Sequence, residues 1–315
     1  MTPILTITLN PTVDLALETG QVRPDRKLRC TRPEARPGGG GLNVSRAILE
    51  LGGQSTAFVA VGETTGDKVM RLLAEAGIGI VPFPAPGETR QSFSVIERDT
   101  GAEFRFVMPG PDWGARDLRR VLARIARAAP ENGIVVLSGS QPPGVPEDFP
   151  ALLAARIART RAQLVIDTSG RALARLAAAP IRPADVLRMD GEEAEELAGR
   201  ALPTAADSAD FAQELVCAGV AAQVIVARGG AGNVLAGATQ RWLATPPEVA
   251  VVSKVGAGDS FTGAFTLALA RGQDSAEALR FGTAAAAAAV MTPATGLCRA
   301  RDLRALLPGC RLGAI

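Results

Sequence analysis

Short apolar strand patterns alternate with helical ones along nearly the whole chain, and no other feature narrows the choice of fold as far. Ile4 to Leu9 alternates β-branched and apolar residues and stops at Asn10-Pro11, the pattern of a strand entering a turn. Buried-strand patterns recur over 56–61, 133–137, 163–167, 186–189 and 223–227. Helical patterns over 42–51, 66–76, 115–129, 151–160, 191–197 and 211–218 lie between them. This rhythm predicts an α/β fold with a mainly parallel sheet flanked by helices. Two stretches, at about 14–36 and 88–108, mix charged and apolar residues without a helical period. Lys27-Leu28-Arg29-Cys30 and Phe93-Ser94-Val95-Ile96 are examples, expected to be extra antiparallel strands forming a small β-sheet lid. The chain, 1–315, is thus read as one α/β domain with lid strands inserted, and no repeat points to a solenoid.

Composition excludes several function classes. The chain is 47% hydrophobic and 21% charged, and its formal charge is only +2, so neither a nucleic-acid nor a membrane partner is expected. No apolar run reaches a membrane-spanning length, and the N-terminal residues lack a signal-peptide pattern, so a cytoplasmic protein is expected. Cys30, Cys217, Cys298 and Cys310 stand far apart and are read as reduced thiols. Histidine and tyrosine are both absent. Acid–base chemistry must therefore fall to Asp, Glu, Lys or Cys, and a Ser-His-Asp triad is impossible.

Two glycine clusters carry the chemistry. Gly256-Ala257-Gly258-Asp259 opens an Ala/Leu-rich helix after the apolar run Val249–Val252. Small residues let a ligand approach the backbone, and free N–H groups with the helix dipole favour an anion. Asp259 stands where it could take a proton from a substrate hydroxyl while those N–H groups hold a transferred phosphoryl group. The other reading of the same residues is a tight turn with an acidic first-turn residue. The second cluster, Gly38-Gly39-Gly40-Gly41 before Leu42-Asn43, contains more glycine than a plain turn needs, which favours close approach of a ligand. Neither cluster is a dinucleotide fingerprint after the first strand, and no G-K-[ST] Walker sequence occurs.

In this order, about 215 residues apart, the two clusters resemble the signatures of the PfkB carbohydrate kinases, a ribokinase-like family. The similarity runs from Thr8-Leu9-Asn10-Pro11-Thr12-Val13-Asp14 to the C-terminal helices and is greatest to the phosphofructokinase branch. It implies ATP and Mg2+ as cofactors, a sugar phosphate as substrate and a homodimer held by the lids. Asp259 would be the base, with Gly256, Ala257 and Gly258 as the anion hole. Asp14, Gly39, Gly40 and Asn43 would hold sugar hydroxyls. Lys27, Arg90 and Arg105 or Arg29 would grip the sugar's phosphate, a task suited to bidentate guanidinium groups. Ser140, in Leu137-Ser138-Gly139-Ser140-Gln141-Pro142, would assist or simply belong to a proline-directed loop.

The nucleotide side departs from the family pattern. Arg188-Met189-Asp190-Gly191-Glu192-Glu193 keeps the glutamate of the metal-linked N-x-x-E motif, but Asp replaces Asn and Arg replaces Lys. Asp190 and Glu193 are the expected Mg2+ residues, with Arg188 and Asp190 beside the nucleotide phosphates. In the loop Ala227-Arg228-Gly229-Gly230-Ala231-Gly232, Ala227 stands where relatives carry Ser or Thr, and Gly229 and Gly232 are expected to bind nucleotide. Ser253-Lys254-Val255 and Thr292-Pro293-Ala294-Thr295-Gly296 replace segments where relatives place a monovalent cation, so K+ activation stays open. Fructose 6-phosphate is the expected acceptor, with fructose 1-phosphate or tagatose 6-phosphate as rivals. A non-catalytic sugar-phosphate sensor is the reading from a different class.

Overall fold

The computed structural model describes residues 1–293 and 296–315. The chain opens with β1 (Ile4–Thr8), β2 (Thr12–Thr19), β3 (Glu34–Gly38), α1 (Gly40–Glu50), β4 (Thr56–Val61), α2 (Glu63–Glu75) and β5 (Gly79–Pro84). It continues through β6 (Arg90–Glu97), β7 (Glu103–Val107), α3 (Ala115–Ala128), β8 (Ile134–Ser138), α4 (Phe149–Ile157), β9 (Gln163–Asp167), α5 (Gly170–Ala178) and β10 (Ala184–Met189). The remainder holds α6 (Gly191–Ala198), α7 (Ala205–Cys217), β11 (Ala221–Ala227), β12 (Asn233–Ala236) and β13 (Arg241–Thr245). It ends with α8 (Ala257–Ala270), α9 (Ser275–Val290), α10 (Ala300–Leu306) and β14 (Arg311–Ala314).

Ten strands form the main sheet in the order β14-β13-β12-β11-β10-β9-β8-β1-β4-β5. Every neighbour pair from β11 to β5 is parallel, and β11 to β14 pair antiparallel. All residues of β1 and β8 are buried, as expected where helices cover both faces of a parallel sheet. Alternate residues of β8 feed opposite cores. Val135 and Leu137 pack with Val121, Ile125 and Phe149, whereas Ile134 and Val136 pack with Phe261 and Phe265. The expected α/β architecture is thus present, with a separate four-stranded sheet in the order β3-β2-β6-β7. Among the described residues, no helix is long and apolar enough to cross a membrane.

The small sheet differs from the expectation of antiparallel strands. Its outer pairs are antiparallel, but β2 and β6 run parallel over the register Thr12↔Arg90 to Thr19↔Glu97. β2 follows β1 and β6 follows β5, so both strands leave the main sheet by the carboxyl ends of its parallel strands and point the same way. The second correction concerns Lys27-Leu28-Arg29-Cys30, which forms no strand. It lies in the exposed connection between β2 and β3, flanked by Pro24 and Pro33, residues that cannot donate to a strand ladder. The run Val249–Val252 is irregular rather than extended in a sheet, and Val251 and Val252 are 61% and 60% exposed.

α1 and α8 cross closely. A Cβ on Gly263 would lie 2.9 Å from the Ala47 Cβ and 3.0 Å from the Val44 carbonyl oxygen, so only glycine permits this approach. That crossing brings the N-termini of two helices from opposite ends of the chain to one place.

Candidate active site

The two glycine clusters meet there. The Asn43 Nδ2 amide, in the first turn of α1, donates to Asp259 Oδ2 at 2.9 Å across 216 residues of sequence. Gly39 and Gly256 cap α1 and α8 at φ of 114° and 77°, left-handed values that favour glycine. The four-glycine run also has a packing reason that ligand approach alone does not supply. A Cβ on Gly38 would fall 2.0 Å from Asp14 Oδ2, and on Gly40 it would fall 2.5 Å from Ser138 Oγ. On Gly41 it would fall 2.4 Å from the Ile7 carbonyl oxygen. The cluster seats α1 directly on the carboxyl ends of β1 and β8, where open α/β sheets bind ligands.

Asp259 is electrostatically poised. Burial, and then the negative charge of Asp167, push its carboxyl up to about 6 against the opposing pull of Asn43, Arg188 and Arg46. Asp167 accepts from Thr262 Oγ1 at 2.8 Å and from Arg188 Nη1 at 3.2 Å. A Cβ on Gly258 would lie 2.9 Å from Arg188 Nη1, so this guanidinium backs the N-terminal turn of α8. A cationic group therefore stands directly behind the N–H groups of residues 256–258, of which the Ala257 N–H makes a long 3.5 Å bond to the Lys254 carbonyl.

A second charged group surrounds Asp14 on β2. Burial raises its carboxyl, while the charges of Arg90, Arg105 and Arg46 oppose that rise. Arg90 reaches back from the small sheet: its Nε and Nη2 donate to the Asn10 carbonyl oxygen at 3.3 and 3.2 Å, and Nη1 donates to the Met108 carbonyl at 3.2 Å. Asn10 Nδ2 approaches Ser140 Oγ at 3.5 Å, and its Oδ1 is buried without a partner. Arg46 Nη1 donates to Asn43 Oδ1 at 3.0 Å and ties this group to Asp259. The structure thus brings together Asp14, Asn43, Arg90, Arg105, Ser140 and Asp259. It does not bring in Lys27 or Arg29, whose exposed side chains make no hydrogen bond or ion pair among the described residues.

Beyond Asp259 opens a cleft of about 1130 Å³, lined among others by Asp190, Glu193, Ala227, Gly229, Lys254 and Gly256. Gly232 is not on its wall. A Cβ there would lie 2.2 Å from the Ala244 carbonyl oxygen, so this glycine serves the turn into β12. Arg228 also lines the cleft, where its guanidinium donates to the Leu202 and Pro203 carbonyls at 2.8 and 2.7 Å. Asp190 and Glu193 form a capping box on α6: Asp190 Oδ1 accepts from the Glu193 N–H at 2.9 Å, and Glu193 Oε2 accepts from the Asp190 N–H at 2.8 Å. Each carboxylate keeps one oxygen free. No cluster of three or more metal-ligating acidic, Cys or His residues exists among the described residues. Two carboxylates beside an anion site suit Mg2+, which is commonly held by one or two carboxylates, substrate phosphates and water. They do not make an all-protein cage. Ala294 and Thr295, part of the expected cation segment, lie outside the described residues.

The model of the pfkB family carbohydrate kinases matches residues 5–301. The chain belongs to this family. It is 37% identical over 302 residues, 95% of its length and 87% of the relative's, to "ATP-dependent 6-phosphofructokinase isozyme 2" of Mycobacterium tuberculosis. The Escherichia coli protein of that name is 38% identical over 303 residues, covering 96% and 97% of the two chains. The E. coli "1-phosphofructokinase" is 32% identical over 314 residues, with 96% of each chain covered. Among solved structures, E. coli phosphofructokinase-2 in complex with potassium superposes with a TM-score of 0.92 at 36% identity, covering 98% and 99% of the chains.

Sequence reasoning passed over Asp167, Thr262 and Arg46. Asp167 had a usable signal, since a carboxylate ending a buried strand and followed by Thr168-Ser169-Gly170 sits where α/β proteins bind ligands. Arg46 and Thr262 gave none, because their roles arise only when α1 and α8 cross.

Proposed function

We propose that this kinase transfers the γ-phosphoryl group of ATP to the C1 hydroxyl of fructose 6-phosphate. The observation that carries the reading is the Asn43–Asp259 hydrogen bond, which joins the two glycine clusters beside a cationic sugar-side group and a large cleft. Asp259 takes the hydroxyl proton, and Asn43 fixes the rotamer of its carboxylate. The N–H groups of 256–258, backed by Arg188, face the charge that develops on the phosphoryl oxygens. Asp14 accepts from sugar hydroxyls, and Arg90 and Arg105 hold the 6-phosphate with Ser140 beside them. Ala227 and Gly229 line the nucleotide end of the cleft. Mg2+ near Asp190 and Glu193 would neutralise charge on the transferring phosphates. The small sheet closes over the sugar as part of a single domain, and its exposed edge pairs two copies in a cytoplasmic enzyme. E. coli phosphofructokinase-2 has been solved in complex with fructose 6-phosphate, and it is 35% identical to this chain with a TM-score of 0.90.

The relatives named 1-phosphofructokinase favour a second reading in which the acceptor carries its phosphate on C1. Asp259 and its anion hole would serve both reactions. ADP release with ATP and Mg2+, compared across fructose 6-phosphate, fructose 1-phosphate, tagatose 6-phosphate and fructose, decides between them. The highest kcat/KM is expected with fructose 6-phosphate. A preference for fructose 1-phosphate would install the second reading, and no turnover with any acceptor would refute both.

A further inference from the structure

The formal charge of +2 conceals a segregation of charge. Residues 115–182 contain eleven arginines against five carboxylates, and the rest of the chain holds 23 basic and 27 acidic residues. This segment builds α3, α4 and α5, which lie side by side over one face of the main sheet. α3 shows why the charge is displayed outward. Val121, Leu122 and Ile125 are buried in the core, which leaves Arg116, Arg120, Arg124 and Arg127 at spacings of four, four and three on the solvent face. At 1.5 Å per residue that row is about 16 Å long. Arg156, Arg159 and Arg161 extend the patch from the end of α4, and Arg175 continues it on α5, all of them exposed.

Almost nothing within the chain neutralises these groups. Arg120 approaches Asp117 at 3.6 Å and lies over the Phe83 ring, and Arg171 approaches Glu147 at 3.5 Å. Among the described residues, the side chains of Arg116, Arg119, Arg124, Arg127, Arg156, Arg159, Arg161 and Arg175 make no ion pair or hydrogen bond. Like charges crowded in this way raise the energy of the free protein unless a polyanion covers them. No residue of the patch lines the catalytic cleft.

We propose that the α3–α4–α5 face is a docking surface for the phosphate backbone of a nucleic-acid duplex. Three observations select this partner. The cations are all arginine, whose planar fork matches phosphate oxygens in a bidentate way. The patch carries no exposed aromatic residue, so it offers no platform for stacking the bases of a single strand. Among the described residues its only exposed large apolar neighbour is Ile181, at the margin after α5, too little to anchor in a lipid surface. Binding through phosphates alone is independent of sequence and steep in salt. Four to six contacts give a slope of log K on log salt of about −4 to −5.

The test is fluorescence anisotropy of a labelled duplex of random sequence, about 24 base pairs long, titrated with the full-length enzyme at roughly 50 mM and 200 mM salt. Saturable binding is expected at the lower salt and a loss of about 100-fold or more at the higher. The triple variant Arg116→Glu, Arg124→Glu, Arg127→Glu should weaken binding by at least about tenfold, with sugar-kinase turnover and thermal midpoint unchanged. A matched variant at α10 and its N-cap, Arg299→Glu, Arg301→Glu, Arg304→Glu, controls for net charge and should bind as the parent does. No binding at the lower salt overturns the proposal, as does equal weakening by both variants. Binding to phosphatidylserine vesicles but not to the duplex also overturns it, in favour of a membrane surface.

Discussion

A carboxylate in the first turn of a buried helix feels two opposing influences, and at Asp259 the balance is legible. The positive helix end, Asn43 and two arginines favour the ion, while burial and Asp167 disfavour it more strongly and leave the group near pH 6. A general base works only when ionised, so kcat/KM should climb as pH rises through about 6 and level off above it. A pH–rate profile flat from 5 to 8 would remove Asp259 from that role. The same shift has a consequence for stability with the opposite sense. Because the folded-state value is raised, the proton is held more tightly folded than unfolded. The associated stability is present below the unfolded value of about 4 and is lost as pH rises through about 6. Asp259→Asn should therefore be more stable than the parent at pH 7.5, by up to roughly 3 kcal/mol in unfolding free energy, and show little gain at pH 4. Its turnover should fall by about 10² to 10⁴-fold. A variant both less active and less stable at pH 7.5 would mean that Asp259 serves structure rather than catalysis.

At the scale of elements, α6 raises the question of what Glu193 is for. Its carboxylate completes a capping box with Asp190, a structural role that needs no metal. Glu193→Ala should cost about 1 kcal/mol through loss of the cap. Glu193→Gln keeps an oxygen to accept from the Asp190 N–H and should leave the thermal midpoint unchanged. If the free oxygen also serves Mg2+, the Gln variant will need at least tenfold more Mg2+ for half-maximal turnover, and an unchanged requirement confines Glu193 to capping. Elements with a clean pattern were legible from sequence: β4 and β9 fall where periodicity placed them, and α3 ends within a residue of its expected range. The extended segments read less well because their cause lies elsewhere in the chain. β5 carries Pro82 and Pro84 and is held at the sheet edge by β4, and β14 exists only because β13 offers it a partner. The parallel pairing of β2 with β6 is a property of how two crossovers leave the main sheet, which no local pattern encodes. At the site, Asp259 and Asn43 announced themselves through their glycines, whereas Asp167 and Arg46 acquire their roles only from packing.

For the whole molecule, the decisive feature is the free edge of the small sheet. All five residues of β7 are exposed, with Phe106 at 53% and Val107 at 62%, and Phe104 and Met108 adjoin them. A strand edge with unpaired N–H and C=O groups and an apolar side is a template for another strand, and natural proteins leave such edges open only where a partner covers them. β7 carries Arg105, whose charge acts on Asp14, so whatever covers this edge also fixes a residue of the proposed sugar site. Assembly and substrate binding are therefore expected to be coupled. Light scattering after size exclusion should give twice the 32.5 kDa of one chain or a higher multiple. Phe106→Glu, which puts a charge into the apolar edge, should shift that mass to the monomer and raise the KM for fructose 6-phosphate by about tenfold or more, and that for ATP far less. A monomeric parent at all working concentrations would leave the exposed edge without its explanation. A monomeric variant with unchanged KM would show that the small sheet holds Arg105 in place without help from a second copy.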